Sequence, residues 1–459
     1  MPIAIAQVIP QFSMMKTLIP KKAPQLLLQK IEGTSFGYAV NCAVPHSFRV
    51  LNNAQYGILK AINEQDDLAG LSGKLSMQPD TLEAFLSIMA KSEIVRFDDY
   101  FKLPETPASA QSLNFWIHTT DACNLGCSYC YISTLNTSKG MSDTVKAQLL
   151  SKLVETVEKR KIGTVKFRLA GGEPLSQFKT WKTFIPEAIV SLGKVGCKLD
   201  VAFITNLTIL NDDILEFSKE YNITYGVSMD GVEGVHNMTR KFRSGAGSFS
   251  VVDTNLRKLL AHNIPVSVNT VVSNQNLDGL PDLTRYLIAL DVPFRYSIVK
   301  GEKINAELLE SNLVESYSIM QEAIETGWQF SKRHQFCDLK PNELGFQTCA
   351  SGFSGGAIYV DGSFKYCHVQ FGDNSASTNS IFNLDLDLVD MIKQSGNHQD
   401  EKSEDCKQCK FRFVCTSGCP VYREDGKDPQ CSLYHKFIPL YYQLQGRERL
   451  KSLKDCGMI

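Results

Sequence analysis

The chain has 459 residues, of which 43% are hydrophobic and 21% charged, and its 48 Lys and Arg nearly balance 49 Asp and Glu. That length exceeds one domain of roughly 100–200 residues, the composition is that of a globular protein with a large core, and a net charge of −1 argues against a nucleic-acid partner. No run approaches the ~18 uninterrupted apolar residues of a membrane span. The opening MPIAIAQVIPQFSMMKTLIPKK lacks a basic stretch followed by an apolar block and a cleavage site. Residues 1–32 therefore read as an N-terminal segment without a signal peptide, on a cytoplasmic protein with no membrane partner.

From residue 33, SFGYAVNCAVPHSFRVL reads as strands, and AQYGILKAI and DTLEAFLSIMAKSEIV read as amphipathic helices. Together they suggest a winged-helix module over 33–102. Such a module can grip DNA. From residue 33 to 100 five Lys and Arg (Arg49, Lys60, Lys74, Lys91, Arg96) meet eight Asp and Glu (Glu64, Asp66, Asp67, Asp80, Glu83, Glu93, Asp98, Asp99), a net −3 that argues against a phosphate partner. LPETPASAQS, residues 103–112, is a linker of Pro, Ser and Ala.

SLNFWIHTT is strand-like and leads into DACNLGCSYCY, where Cys123, Cys127 and Cys130 are spaced C-x3-C-x2-C. Disulfides are rare in the cytosol, so clustered thiols read as metal ligands. Four would close a structural site, whereas three thiolates on a four-iron cubane leave one iron open to another ligand. Further strand-like runs follow: TVKFRLAGGEP, VAFITNLTIL, ITYGVSMDG, PVSVNTVVS and VPFRYSIV. Between them lie amphipathic stretches such as DTVKAQLLSKLVETVEKRK and SVVDTNLRKLLAHN. Six strands and five helices with right-handed crossovers predict an α/β fold, a partial (β/α)6 TIM-like barrel over 113–330. Ligands in such barrels sit at the carboxyl ends of the strands, where the cysteine loop, GGEP, TN and SMDG all fall. The glycines of GGEP let backbone approach a ligand, and Glu173 can accept a hydrogen bond from an ammonium. Asp230 and Arg240 are also compatible with a structural ion pair.

The last quarter holds Cys349, twelve residues, Gly362, four residues and Cys367; then Cys406-x2-Cys409-x5-Cys415-x3-Cys419, and finally Cys431. GGAIYVDGSFKYCH reads as a hairpin turning at Asp361-Gly362 and delivering Cys367. Cys42, Cys197 and Cys456 are scattered and suit small core hydrophobes.

These motifs resemble the radical S-adenosylmethionine (SAM) superfamily, whose signature is C-x3-C-x2-C with an aromatic before the last cysteine, here Tyr129. The resemblance implies that Cys123, Cys127 and Cys130 hold a [4Fe–4S] cluster whose open iron takes the amino and carboxylate groups of SAM. It further implies that electron transfer releases methionine and a 5′-deoxyadenosyl radical, which abstracts hydrogen from an unactivated C–H bond. GGEP resembles the motif at the SAM amino group, which implies that role for Gly171, Gly172 and Glu173. SMDGVEGVHNMTRKFRSGAGSF resembles a stretch of the peptide-modifying branch, which implies Ser228 and Arg240 at the SAM ribose and carboxylate. Asn206 stands where relatives often carry T-N-G, with Leu207 in the glycine's place.

The second cysteine pattern resembles the SPASM extension of peptide maturases. That implies a SPASM domain over 331–445, a tail over 446–459, and two auxiliary clusters, making three [4Fe–4S] clusters in all. Cys406, Cys409, Cys415 and Cys431 would hold the outer one, and Cys349, Cys367 and Cys419 the inner one. Where some relatives supply a further inner ligand, Gly355 stands here, so either Cys337 completes the site or the site is open. The front module looks like the winged-helix leader-recognition element of ribosomal-peptide maturases, which binds peptide by strand addition; the alternative is a packing domain without a ligand. The resemblance covers about 35–440. It implies a maturase that installs a crosslink (C–C, C–S or ether) in a precursor peptide, fed by an external donor such as flavodoxin or ferredoxin. The alternatives are a maturase of a folded protein, such as the formylglycine-forming type, and a non-enzymatic metal-binding redox scaffold. No catalytic acid or base is legible.

Overall fold

A computed structural model describes residues 18–459 other than 45, 98–103, 106, 108, 135–138, 374–378, 397, 399 and 400. Residues 1–17 of the expected N-terminal segment, 98–102 of the expected front module and 103, 106 and 108 of the expected linker lie outside the described residues.

The front of the chain contributes β1 (Lys21–Lys22), β2 (Leu26–Lys30), β3 (Gly37–Asn41), β4 (Arg49–Leu51), α1 (Asn53–Ala61), α2 (Leu68–Leu75), α3 (Pro79–Lys91) and β5 (Val95–Arg96). β2, β3 and β4 form an antiparallel sheet, and β1 pairs with β5. Local chemistry sets the helix starts. Asn52 and Gln55 make a capping box on α1, Asp67 caps α2, and Pro79 occupies the first turn of α3. Helix α2 was not among the expected elements, because LAGLSGKL is short and interrupted by glycine and serine. Strand alternation gives β3 two faces. Ala39 joins a small core with Leu59, Leu82 and Leu86, whereas Tyr38 and Val40 join the main core.

The middle of the chain alternates strand and helix: β6 (Ser112–Thr120), α4 (Asp143–Arg160), β7 (Thr164–Gly171), α5 (Phe178–Lys194), β8 (Lys198–Thr205), α6 (Asp212–Glu220), β9 (Thr224–Ser228), α7 (Glu233–Thr239), α8 (Phe249–Ala261), β10 (Val266–Val272), α9 (Leu280–Ala289), β11 (Phe294–Ile298), α10 (Ala306–Glu325), α11 (Phe330–Arg333) and β12 (His334–Phe336). The cysteine-rich part adds β13 (Gly355–Ile358), β14 (Ser363–Lys365), β15 (Asn379–Ser380), α12 (Leu388–Gln394), α13 (Glu404–Gln408), α14 (Arg412–Cys415) and α15 (Cys431–Asp455).

One sheet of ten strands runs β12-β11-β10-β9-β8-β7-β6-β13-β14-β15. The six expected strands, β6 to β11, lie in sequence order and are parallel. β12 extends one edge in parallel, and β13 pairs in parallel with the other side of β6. The sheet is a mixed α/β layer, the arrangement of a partial barrel. The hairpin β13–β14 turns at Asp361-Gly362, where Gly362 has φ 85° and the Asp361 carboxylate accepts from Ser363 N–H. Among the described residues no helix is long and apolar enough to cross a membrane.

Candidate radical site

Three motifs meet at the carboxyl ends of β6, β7 and β8. The cysteine loop leaves β6 at Thr120 and GGEP leaves β7 at Gly171. The two loops are nearly in contact: Gly172 N–H donates to Thr120 O at 2.7 Å and Glu173 N–H to Ala122 O at 2.9 Å. A Cβ on Gly172 would stand 2.1 Å from Ala122 O, so only glycine permits this approach. The Glu173 side chain is fully buried. Its Oε1 accepts from Leu175 N–H at 3.0 Å and from Thr205 Oγ1 at 2.6 Å, and its Oε2 accepts from Asn206 N–H at 2.8 Å. Burial pushes its pKa up to about 7 against the pull of these three donors. The carboxylate thus ties the end of β7 to the end of β8.

Asn206 continues the tie. Its Nδ2 donates to Asn124 Oδ1 at 3.0 Å and lies 3.6 Å from Cys123 Sγ. Leu207, standing in the glycine's place, adopts φ 54°, the left-handed conformation that glycine favours. The strain costs about 1–3 kcal/mol, while full burial of the side chain returns a similar amount, about 1.5–3 kcal/mol. Leucine therefore holds the glycine-like turn without large net loss.

A second knot lies on the other side of the cysteine loop. Asp230, fully buried, receives three donors on one oxygen: Tyr129 OH at 2.5 Å, Thr239 Oγ1 at 2.9 Å and Arg240 Nε at 2.9 Å. The expected ion pair of Asp230 and Arg240 is present, and Arg240 Nη1 also reaches Cys127 Sγ at 3.8 Å. Burial works against the Arg240 charge, but Asp230, Tyr129 and Cys127 outweigh it and raise its pKa. The segment after Asp230 clasps the loop through backbone: Gly126 N–H donates to Lys241 O and Ser128 N–H to Thr239 O. Ser228, the last residue of β9, is half-buried.

The three thiols of the triad are free of disulfides, and burial is the main influence raising Cys123 and Cys127, the latter to about 11. In the second group, Cys367 is pushed up to about 12, by burial first, and Cys349 and Cys419 also raise it. Cys431 is raised by burial and by Cys406 and Cys409, and burial raises Cys415, on which Cys431 and Cys409 also act. Cys337 is buried at φ 49°, and the groups acting on it are Lys300, Asp338 and Tyr434.

Sequence reasoning missed three polar contacts around the triad. Tyr131, next to Cys130, donates to or accepts from His368 Nδ1 at 2.9 Å, and His368 follows Cys367; the pair joins the two cysteine regions. Asp121, just before the loop, pairs with His118 Nε2 at 2.9 Å and accepts from Tyr359 OH at 2.7 Å. Tyr131 and Tyr359 each sit beside a motif, but their partners are more than two hundred positions away in the chain.

Residues 117–287 match the radical SAM superfamily. An uncharacterized protein of Methanocaldococcus jannaschii is 30% identical over 200 residues, 43% of this chain and 67% of that protein. The chain belongs to the radical SAM superfamily. The cysteine-type anaerobic sulfatase-maturating enzyme of Clostridium perfringens strain 13 is 24% identical over 349 residues, 70% of this radical SAM chain and 93% of that enzyme. Native anSMEcpe, solved with bound AdoMet and Kp18Cys peptide, shares the fold with a TM-score of 0.60 and 20% identity over 74% of this chain and 99% of that one. Streptococcus suis SuiB bound to precursor peptide SuiA shares it with a TM-score of 0.50 and 13% identity over 90% of this chain and 99% of that one.

Membership of the radical SAM superfamily implies a [4Fe–4S] cluster, and the triad fits one in its donor chemistry. Leu125 N–H lies 3.4 Å from Cys123 Sγ, which with Asn206 and Arg240 makes three N–H donors aimed at triad sulfurs. Such donors stabilise sulfur that carries negative charge. Among the described residues no three His, Cys, Asp or Glu side chains converge as closely as a single ion requires; thiolates on a cubane each reach a different iron.

Proposed function

We propose that this radical SAM enzyme is a maturase of a ribosomally made precursor peptide. The observation that carries this reading is the thiol triad at the carboxyl ends of β6 and β7, locked by the Glu173 and Asp230 knots and receiving N–H donors on sulfur. With SAM, a [4Fe–4S] cluster bound there supplies a radical able to take hydrogen from an unactivated C–H bond. The chain's own part is placement. Tyr129 and Arg240 set the loop against Asp230, while Gly171 and Gly172 bring backbone to the SAM amino group in a loop that Glu173 holds. Ser228 lies at the ribose, and Asn206 braces Cys123.

The mutual electrostatic influence of Cys349, Cys367 and Cys419, and that of Cys406, Cys409, Cys415 and Cys431, support two further clusters, about twelve irons in total. Cys406, Cys409, Cys415 and Cys431 hold the outer one, and Cys349, Cys367 and Cys419 the inner one. Cys337 completes the inner site, or that site stays open. Fourteen free cysteines suit a reducing compartment, so we place the enzyme in the cytoplasm, fed by flavodoxin or ferredoxin. Likeness to SuiB reaches 90% of this chain against 74% for anSMEcpe, which supports a front module of winged-helix type that holds a leader peptide. A second reading, maturation of a sulfatase-type protein, is favoured by the relatives whose sequences align over 70% of this chain.

The test uses the iron-loaded, chemically reduced enzyme with SAM under anaerobic conditions. One probe is the peptide encoded by a short reading frame beside this gene, and the other is a cysteine-bearing peptide of sulfatase type. A crosslink appears as loss of two hydrogens from the first peptide; formylglycine in the second supports the other reading. Joint substitution of Cys123, Cys127 and Cys130 by Ala removes one cluster and all 5′-deoxyadenosine formation. An active, colourless triple variant ends both readings.

A further inference from the structure

The lumen face of the sheet carries hydrogen-bond donors that lack acceptors. Along β6, β7 and β11, apolar residues buried toward the helices alternate with residues on the lumen side. That alternation puts Trp116, Arg168 and Arg295 on the lumen face. Trp116 and Arg168 are direct partners on neighbouring strands. β11 lies four strands from β7 in the sheet order, with Arg295 on the same face as Arg168. The two cations sense each other: after burial, the Arg295 charge is the largest influence lowering the pKa of Arg168.

Arg168 is exposed to solvent within the open lumen and has no hydrogen bond or ion pair among the described residues. Arg295 pairs with Asp338 through Nη2, but its buried Nε has no acceptor. The buried Nε1 of Trp116 has none either. Stacking on His368, 3.9 Å between ring centroids and 17° between planes, fixes the indole. Lys300 is separately matched by Asp428 at 3.8 Å. Asp338 is thus bonded to Arg295 and acts on Arg168 only at a distance. Buried donors almost always find partners, and a planar guanidinium matches a carboxylate with two parallel hydrogen bonds.

We propose that Trp116, Arg168 and Arg295 form a subsite for a carboxylate of the substrate, an Asp or Glu side chain near the residue to be modified. The inference rests on the peptide-maturase reading and names the substrate class more narrowly. A carboxylate entering between the arginines gives the buried Nε of Arg295 and Nε1 of Trp116 an acceptor and meets the solvent-facing charge of Arg168. The competing role for Arg168 is to offset charge on the inner cysteine set, because Cys349 lies within its electrostatic reach.

The experiment measures binding of two capped tripeptides, acetyl-Ala-Glu-Ala-amide and acetyl-Ala-Gln-Ala-amide, to the anaerobic, SAM-loaded holoenzyme. Calorimetry is read beside the fluorescence of Trp116. The Glu peptide binds roughly tenfold or more tighter than its Gln twin, the effect of one charge-assisted hydrogen bond. Arg168→Gln and Arg295→Gln abolish the preference, and Arg168→Lys keeps part of it. EPR spectra and reduction potentials of Arg168→Gln match those of the wild type. Equal binding of both peptides overturns the subsite, as does a preference that survives Arg168→Gln. A shifted potential with the preference intact assigns Arg168 to the cysteine set instead and equally overturns it. Failure of either peptide to bind also overturns it, whereas the peptide-maturase reading is judged separately by the mass measurement on the encoded peptide.

Discussion

At Glu173, three hydrogen bonds converge on a buried carboxylate, and the consequences of removing it follow from that count. Glu173→Ala leaves two buried N–H groups and a hydroxyl without their acceptor, at about 1–3 kcal/mol for each unsatisfied group. Glu173→Gln sets an NH2 group against at least one of those donors. Both variants are expected to melt at lower temperature and to bind SAM more weakly, by about tenfold or more. Unchanged melting and SAM affinity in Glu173→Ala would show that GGEP is only a turn. His334 makes a different kind of prediction. Both of its ring nitrogens are buried without hydrogen-bond partners, amid Phe294, Tyr296, Tyr317 and Phe330. Burial lowers its pKa from 6.5 to about 3. Between those values the unfolded chain takes up a proton that the folded chain refuses. Stability is therefore lost as pH falls below the unfolded value, at up to about 1.4 kcal/mol per pH unit. Denaturant titrations at neutral pH and near pH 5 should show wild type losing about 2 kcal/mol relative to His334→Phe. A constant packing penalty cancels in that comparison, and parallel pH profiles would disprove the account. The thiol triad and GGEP were legible as residues because spacing and glycine carry chemistry that does not depend on distant chain. The acceptor of Tyr129, Asp230, and the N–H donor to Glu173, Asn206, were not, since they come together only through the fold of the sheet.

Among the elements, the strands of the sheet were the most legible. Their β-branched, alternating runs reproduce β6 to β11 within a few residues. β12 has three residues and carries no strand pattern of its own; β13, half glycine, was legible as the first arm of the hairpin at Asp361-Gly362, but its pairing with β6 was not. The long helix α15 joins parts of the molecule that the sequence separates. Its Tyr442 lies 6.3 Å from Tyr38 and 6.1 Å from Phe48, between ring centroids, and donates to Pro341 O at 3.0 Å. Gln443 Nε2 donates to Lys30 O, and Arg447 Nη2 to Glu32 O. Truncating such a buried aromatic costs about 3–5 kcal/mol. Tyr442→Ala should speed hydrogen exchange along β3 far more than along β10, whereas Tyr442→Phe, which loses one hydrogen bond, should change it little. Equal loss of protection in both strands would mean that the front module does not depend on α15.

At the scale of the whole molecule, the expected division into front module, barrel and cysteine-rich part describes the sequence better than the packing. Tyr38 and Val40 of the front sheet, the barrel strands and Tyr442 of α15 belong to one continuous core. Deleting the front module would uncover Tyr442, so its part in leader binding is better examined by point substitutions on the intact chain. The sequence could not disclose this sharing, because the hydrophobic pattern of a strand reveals that a face is buried but not by what.

β6 is the inner strand between β7 and β13, and one of those partners is available soon while the other comes late. On the ribosome, β7 emerges shortly after β6, and the two can pair while synthesis continues. The opposite edge of β6 waits for Gly355–Ile358, after the rest of the barrel has been made. Loop closure over that separation is entropically costly, and an unpaired apolar strand edge is a template for association with other chains. Chains ending after β12 should therefore collect in the insoluble fraction, and extending them through β14 should restore soluble protein. If the shorter chains stay soluble and monomeric, the edge is protected by something other than β13. For a nascent enzyme of this design, the dangerous interval runs from the completion of β6 to the arrival of a four-residue strand from the cysteine-rich end.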